Sequence, residues 1–502
     1  MEINQTTQDI QQAQGDAIII GAAKKEGSIT LSQAGTAVEK ALDGLINECY
    51  TQGEFKANLG EILTLHSAGK LAAKRVIVVG LGKQEALTSQ SIRRATEIAS
   101  RHLQKTGAQH LILSTGFATE SGHFDAFQEA QVTIEGALLG LYTFRKYQNS
   151  SKEANKVTTL TLLTTEEQKS DFAHASERGQ ILAEASNFTR TLINEPPNVL
   201  YPIELANRAQ AMAQEFGLEC EIFEEEKIRE LGMGGVLAVT KGSVKPPRFI
   251  ILRYHGGKDG EKDLALVGKG ITFDTGGISI KPAAGMDAMK GDMGGAATVL
   301  GAMQAIARLK PAINVSAFVP TCENMPGGNS YLPGDIVRIL NGKTIEIVNT
   351  DAEGRLILAD ALSYASQEGH TRILDFATLT GAMVVALGHT MTGIFSNDEQ
   401  LADEIITAGR VAGEKYWPMP LDEEYADYIK SDIADIKQTG GRAAGSVTAA
   451  KILENFVGNA KWTHLDIAGT SDYESVKAHQ EVGGTGVGVR MVAALAEHYA
   501  GH

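Results

Sequence analysis

The sequence predicts an α/β fold with two domains, a smaller N-terminal α/β domain and a larger C-terminal α/β domain built on a central, mainly parallel sheet. The chain has 502 residues, which is more than one ordinary hydrophobic core holds. Short apolar runs alternate with amphipathic helical patterns along both halves. A long helical pattern between the halves stops at the proline pair of NEPPN. We therefore expect domains at 1–165 and 194–502, joined by a helix at 166–193.

Four short apolar runs of the first domain are predicted to be strands, because they alternate with helical patterns along the chain. They are DAIIIGAA (16–23), KRVIVVGLG (74–82), HLILST (110–115) and TTLTLLTT (158–165). Patterns with helical spacing at 35–46 and 91–106 lie between them. This alternation is typical of an α/β domain.

The second domain continues the alternation. Its predicted strands are RFIILRY (248–254), LALVG (264–268), INVSAFVP (313–320), TIEIV (344–348), RILDFA (372–377) and THLDIAG (463–469). Helical patterns separate these runs, which indicates a largely parallel sheet flanked by helices. In such a sheet the functional side chains gather at the carboxyl ends of the strands.

Composition excludes several classes of protein. The formal net charge of −15 and the pI near 5.4 disfavour nucleic-acid or anionic-membrane binding as the main function. No run of 18 apolar residues predicts a membrane-spanning helix, and the first residues lack the basic and apolar regions of a signal peptide. Three widely separated cysteines indicate reduced thiols rather than a disulfide framework. We expect a cytoplasmic protein.

Acidic and basic side chains cluster where the predicted strands of the second domain end. Two lysines and an aspartate follow LALVG in KGITFDTGGISIK, a second aspartate stands in MKGDMGG, and two more acids follow TIEIV. Any one of these acids is more simply explained as a surface ion pair or a helix cap. The convergence of all six favours a functional site. The candidates are Lys269, Asp274, Lys281, Asp292, Asp351 and Glu353.

The octet NTDAEGRL (349–356) carries Asp351, Glu353 and Arg355 at alternate positions. The octet lies between a predicted strand and a predicted helix, so capping of the helix explains one or two of these residues. Capping does not explain two acids together with an arginine. The Asp-x-Glu spacing lets both carboxylates point into one cavity. Taken alone, the octet supports a cap and a site about equally, and the other acids decide in favour of a site.

Four carboxylates at close quarters repel one another and cannot all remain ionised unless cations share the site. A pair of divalent ions roughly 3.5–4 Å apart can share carboxylates as bridges and can lower the pKa of a bound water. Lysine is normally protonated and does not bind metal. Beside two dications its charged form is disfavoured, so a neutral amine ligand becomes possible.

Other chemistries find less support in the sequence. It contains no HExxH or GxSxG motif, and Gly342-Lys343-Thr344 resembles the end of a P-loop except that Val337 replaces the first glycine. Two alternatives remain open. Paired metals also serve phosphoryl transfer and phosphatases. DNA binding through a local basic groove is possible but is not favoured by the net charge.

NTDAEGRL and VGKGITFDTGGISIK together resemble motifs of the cytosolic leucyl aminopeptidase family, whose bacterial form is often called aminopeptidase A. NEPPN, MKGDMGGAA, THLDIAG and GVGVR add to the resemblance, which covers most of 194–502. The N-terminal third is similar only in size and in its α/β pattern. Thr275 stands where many relatives carry serine, which is a mild departure from the family motif.

The resemblance implies a hydrolase of the metalloprotease type, a leucyl aminopeptidase that removes the N-terminal residue from peptide substrates through a water or hydroxide bridging two metals. It implies two divalent ions per subunit, Mn²⁺ or Zn²⁺, and bicarbonate as general base. It also implies a homohexamer, with the catalytic domains inward and a macro-like N-terminal domain outward.

Roles carry over residue by residue. Asp274 and Glu353 would bridge the metals, Lys269 and Asp292 would complete one metal site, and Asp351 would complete the other. Lys281 would polarise the scissile carbonyl or stabilise the oxyanion, and Arg355 would hold the bicarbonate. The resemblance also assigns a pocket for the first side chain of the substrate, although core packing explains the methionine of this set equally well. The pocket residues are Met289, Thr378 and Gly381.

Overall fold

The computed structural model of the chain describes residues 1–117, 124–149, 156–261 and 263–501. The chain divides into two compact units, Met1–Glu184 with Ser475–Val482, and Ala185–Glu474 with Gly483–His502. The predicted two-domain α/β fold is confirmed. The division falls inside helix Lys169–Asn194, which had been predicted as the connection at 166–193, and it assigns a short C-terminal segment to the first unit.

The first unit is built on one mainly parallel sheet. Its strands follow the order Glu2–Thr6, Thr159–Leu163, His110–Leu113, Ala17–Lys25, Arg75–Lys83 and Ile62–His66, with Ser28–Leu31 beside Ala17–Lys25. The pairs made by Ile62–His66 and Ser28–Leu31 are antiparallel. Helices Gln33–Ala41, Leu45–Thr51, Ser89–Gln104 and Ala126–Leu141 pack on this sheet, together with part of Lys169–Asn194.

Two helices of the first unit begin at capping boxes. The side chains of Thr88 and Asp125 each accept a hydrogen bond from the backbone N–H three residues later, at Ser91 and Gln128. In both cases the later side chain reaches back to the capping residue's own N–H, which satisfies two helix-end donors at once. Both helices therefore have a defined first residue.

The central sheet of the second unit is also mainly parallel. Its strands follow the order Tyr416–Pro418, Thr392–Ser396, Lys461–Asp466, Arg372–Ala377, Leu264–Gly268, Asn314–Asn324, Arg248–His255 and Glu219–Phe223, and Gly270–Asp274 pairs with the far half of Asn314–Asn324. Its helices are Pro202–Phe216, Glu225–Leu231, Gly234–Thr240, Gly294–Leu309, Gly354–Gln367, Gly381–Leu387, Glu399–Ala412, Gly445–Glu454 and Val489–Ala500.

The central strands are buried on both faces. Leu264 and Leu266 belong to the core beneath helix Gly294–Leu309, whereas Ala265 and Val267 belong to the core beneath helix Gly354–Gln367. This is why LALVG is a continuous apolar run rather than an alternating one. The two helices begin at the same end of the sheet as the candidate side chains.

One predicted strand lies elsewhere. TIEIV does not join the central sheet. Its residues Thr344–Glu346 pair instead with Ile336–Arg338 and Ile436–Lys437 in a small separate sheet. A short apolar run does not indicate which sheet it joins, so the pattern could not distinguish these cases. Another short pairing joins Asp472–Tyr473 to Gly483–Gly484.

A close helix–sheet contact sets the position of the candidate site. A Cβ at Gly295 would lie 1.9 Å from the backbone oxygen of Phe376, so only glycine lets helix Gly294–Leu309 approach the sheet there. The approach brings the start of this helix against the end of strand Leu264–Gly268. Among the described residues, no helix is long and apolar enough to cross a membrane.

Candidate metal centre

The six predicted acids and lysines meet at one end of the central sheet. Asp274 ends strand Gly270–Asp274, and Asp292 lies just before helix Gly294–Leu309. Asp351 lies in the 3-10 turn Thr350–Ala352, and Glu353 lies between this turn and helix Gly354–Gln367. Together with the substrate-pocket residues they line one cavity of about 400 Å³. The predicted residues around this cavity are Lys269, Asp274, Lys281, Met289, Asp292, Asp351, Glu353, Arg355, Thr378 and Gly381.

Lys269 is buried among acids. Its Nζ lies 2.8 Å from Asp292 Oδ1 and 2.9 Å from Glu353 Oε1, and it donates to the backbone oxygen of Thr378 at 3.0 Å. Burial lowers the pKa of Lys269, but the neighbouring carboxylates outweigh burial and raise it. Bound dications would neutralise those carboxylates and reverse the balance, as a neutral lysine ligand requires.

Lys281 pairs with the acids on the other side of the cluster. Its Nζ lies 2.7 Å from Asp274 Oδ2 and also contacts Asp351 Oδ1. Asp274 Oδ1 accepts hydrogen bonds of 2.8 Å from the N–H of Gly276 and from Asn324 Nδ2. Gly276 has φ +84°, a conformation that favours glycine, so the DTGG turn directs its amide back at the carboxylate.

The pKa values of the four carboxylates are shifted in different directions. Burial, with the nearby Glu353, raises the pKa of Asp274 to about 6. Burial also raises the pKa values of Asp292 and Asp351. Glu353 is the exception, because the two lysines overcome its burial and lower its pKa. Acids held this close to one another need additional positive charge to remain ionised together.

The donor set fits divalent cations. Ligand oxygens of Asp274, Asp351 and Glu353 all lie within 4.8 Å of one another. Asp292 Oδ1 is held by Lys269 and by Thr378 Oγ1 at 2.7 Å, whereas its buried Oδ2 has no hydrogen-bond partner within the described ranges. Four carboxylates face two ammonium groups, which leaves a formal excess of two negative charges. Hard oxygen ligands and excess negative charge suit dications.

Arg355 lies beside this cluster at the start of helix Gly354–Gln367. Its Nη1 donates to the backbone oxygen of Gln438 at 2.8 Å, and its buried Nε has no partner among the residues that the structure describes. Burial lowers the pKa of Arg355 to about 10, against the pull of Glu353 and Asp466. A buried guanidinium with an unused N–H is suited to binding a small anion.

Sequence reasoning missed residues around the same cavity. Asn324 is fully buried and donates to Asp274, to the backbone oxygen of Thr350 and, at 3.5 Å, to Glu353 Oε2. Asn324 acts through the acids that it contacts, whereas Ala468, Ser471 and Asp472 follow strand Lys461–Asp466 and line the cavity itself. Extension of the strand prediction beyond Pro320 would have brought Asn324 to the site.

The fold and the site together define a two-domain α/β protein with a candidate metal centre at the strand ends of its second unit. Residues 187–493 match the model of the catalytic domain of the cytosol aminopeptidase family, and residues 19–152 match the model of its N-terminal domain. The chain belongs to the cytosol aminopeptidase family. It is accordingly a hydrolase of the metallo-aminopeptidase type.

Proteins related in sequence and in structure are similar to this chain over nearly its full length. A protein of Alkaliphilus metalliredigens named "Probable cytosol aminopeptidase" is 46% identical over 485 residues, 96% of each chain. A mutant of tomato leucine aminopeptidase is similar with TM-score 0.87 and 32% identity, over 99% of this chain and 96% of that one. The bottromycin maturation enzyme BotP in complex with Mn has TM-score 0.83 and 33% identity, over 97% of this chain and all of that one.

Proposed function

We propose that this chain removes the N-terminal residue of peptides, with leucine preferred, by means of two divalent ions, Mn²⁺ or Zn²⁺. One observation carries the proposal. Three carboxylates with oxygens within 4.8 Å of one another lie in a cavity of about 400 Å³ that also contains the unpartnered Asp292 Oδ2. The Mn complex of BotP and the name of the tomato enzyme support the metal and the leucine preference by analogy.

The ligands proposed for the two ions come from both sides of the cluster. Asp274 and Glu353 would serve as bridges, with Lys269 and Asp292 completing one site and Asp351 the other. The bridging role of Asp274 is supported by the charges of both Lys269 and Lys281, which act on its carboxylate, and by the hydrogen bonds that fix its orientation. The ions, when bound, would polarise the scissile carbonyl, hold the free amine of the substrate and activate a water as nucleophile.

Lys281 would stabilise the negative charge that develops on the scissile carbonyl oxygen. Lys281 lines the cavity, and its side chain is 20% exposed. A positive donor aimed at the developing oxyanion acts most strongly where water is excluded. The acids around Lys281 outweigh its burial and raise its pKa. Its side chain is also more exposed to water than that of Lys269, which favours the charged form.

Arg355 would hold a bicarbonate ion as the general base. The unused, buried Nε–H supports this role, because a guanidinium can donate two parallel hydrogen bonds to a planar oxyanion. The substrate's first side chain would lie against Met289, Thr378 and Gly381, with Val384 adding an apolar wall. The homohexamer and the cytoplasmic location stay predictions from the family resemblance, and DNA binding stays an alternative that the charge does not favour.

Removal of metal tests the proposed function directly. Dialysis against a chelator is expected to abolish hydrolysis of leucyl-p-nitroanilide, and addition of Mn²⁺ or Zn²⁺ should restore it, because activation of the attacking water would depend on the ions. Metal content before and after dialysis is measured in parallel. Full activity in the metal-free protein would refute the proposal. Hydrolysis of a phosphomonoester but of no aminoacyl substrate would favour the phosphatase alternative.

Replacement of Arg355 tests the general base. Arg355→Ala and the less disruptive Arg355→Lys are expected to lower kcat roughly 100-fold while both metal ions remain bound, since this is the low end of general acid–base effects. The measurement combines steady-state kinetics with metal analysis. Arg410→Ala, an exposed arginine on helix Glu399–Ala412, is the control. Loss of metal from both Arg355 variants would assign this residue to metal binding instead.

A further inference from the structure

Asp472 places a carboxylate in the wall of the cavity, outside the candidate metal ligands. It is half-buried, and its backbone is held in register with Gly484 by the pairing of Asp472–Tyr473 with Gly483–Gly484. Asp472 Oδ1 accepts a hydrogen bond of 3.0 Å from Ser471 Oγ. Within the described part of the chain, no lysine or arginine nitrogen lies within 4.0 Å of its carboxylate. This acid is therefore fixed in position without an ion-pair partner.

The groups around Asp472 compensate only part of the negative charge of its carboxylate. Burial raises its pKa, and the exposed Glu474 adds to that effect, whereas Ser471, His389 and Lys290 oppose it. Lys290 donates instead to the backbone oxygen of Asn194 at 3.1 Å, and His389 Nδ1 lies 2.9 Å from the backbone oxygen of Gly469. Both nearby basic groups are thus directed at backbone oxygens, and a cation entering the cavity could supply the missing charge.

Asp472 lies in the part of the cavity that would receive the first side chain of the substrate. A Cβ at Gly294 would lie 3.2 Å from both Ser471 Cβ and Thr378 Cγ2, so the residue before Asp472 is adjacent to a predicted pocket residue. The same cavity contains the buried, unpartnered Oδ2 of Asp292, one of the proposed metal ligands. The metal centre and Asp472 therefore belong to one binding site.

We propose that Asp472 adapts this pocket to a cationic first residue, so that peptides beginning with lysine or arginine are substrates alongside those beginning with leucine. This inference rests on the proposed aminopeptidase function. The aliphatic stem of lysine or arginine would pack on Met289 and Val384, and its charged end would reach the carboxylate. A charge-assisted hydrogen bond forms there without displacing an existing ion pair.

The test compares substrates that differ in charge but not in shape. The measured quantity is the kcat/KM ratio of lysyl- to norleucyl-p-nitroanilide, and of arginyl- to citrullyl-p-nitroanilide. The wild-type protein is expected to favour the charged member of each pair about tenfold or more, and Asp472→Asn should remove that preference while changing kcat/KM for leucine and norleucine less than about threefold. Asp432→Asn, an exposed acid outside the cavity, should leave both ratios unchanged.

Binding provides a second readout that does not depend on turnover. Calorimetry with lysine amide and norleucine amide should show the same loss of charge preference in Asp472→Asn. An unchanged ratio in this variant would overturn the inference. An equal fall for charged and neutral substrates would also overturn it, because Asp472 would then act on the free amine that all substrates share. Failure of the metal-loaded wild type to cleave any aminoacyl substrate would instead refute the proposed function.

Discussion

Replacement of Asp274 with alanine is expected to remove bound metal and aminopeptidase activity together. Loss of a residue that only orients a metal ligand typically costs 10–100-fold, so loss of a bridging ligand should lower kcat/KM by more than about 100-fold. The structure gives the reason for choosing this acid. One of its oxygens accepts hydrogen bonds from Asn324 and Gly276, and the other pairs with Lys281, so the orientation of this carboxylate is fixed.

The experiment measures metal per subunit and leucyl-p-nitroanilide hydrolysis on the same sample. Asp432→Ala is the control, because it removes an exposed aspartate outside the cavity. A thermal unfolding curve for each metal-free protein separates loss of metal from loss of fold. If the Asp274 variant kept the wild-type metal content, Asp274 would not be a bridging ligand, and the proposed arrangement of the two sites would be wrong.

Much of the site could be predicted because parallel strands end at one edge of a sheet. Lys269 follows strand Leu264–Gly268 directly, and this placement depends only on the apolar run before it. The close approach that brings Asp292 to Lys269 depends on Gly295, whose role becomes visible only when the backbone of Phe376 is placed against it. Sequence patterns indicate which residues follow strands, but they do not give the packing distance between a helix and a sheet.

Asn324 was missed because a proline suggested the end of its strand. Strand Asn314–Asn324 instead continues through Pro320. It pairs with Leu264–Gly268 up to Phe318 and with Gly270–Asp274 from Thr321 onward. Neither of these two strands pairs with Pro320, so no hydrogen bond to them is lost because proline has no N–H. A proline inside a strand is hard to predict from sequence because the change of partner is a tertiary feature.

Asp472 was missed for a different reason. It follows strand Lys461–Asp466 by six residues, and a single acid at that distance matches no motif. The short pairing of Asp472–Tyr473 with Gly483–Gly484 and the buried Ser471 set its position, and neither has a recognisable sequence signal. Motif spacing therefore identifies the proposed metal ligands better than the residue proposed to select the substrate.

Replacement of Lys281 with glutamine is expected to lower kcat about 100-fold to 1,000-fold without loss of metal, the range found for removal of one oxyanion donor. The ion pairs of Lys281 also predict how its replacement affects metal binding. Its ammonium contacts Asp274 and Asp351, two proposed metal ligands, so it competes with the dications for the same oxygens. Removal of that charge should leave the Mn²⁺ dissociation constant unchanged or lower it.

A titration of metal-free protein with Mn²⁺, followed by kinetics on the loaded sample, separates the two roles. Lys281→Arg is the matched variant, because it keeps a positive donor near the carbonyl and should retain more activity than Lys281→Gln. Weaker Mn²⁺ binding in the glutamine variant, with kcat preserved in the fraction that is loaded, would contradict the assignment. Lys281 would then be a metal-positioning group, and stabilisation of the oxyanion would have to come from the ions themselves.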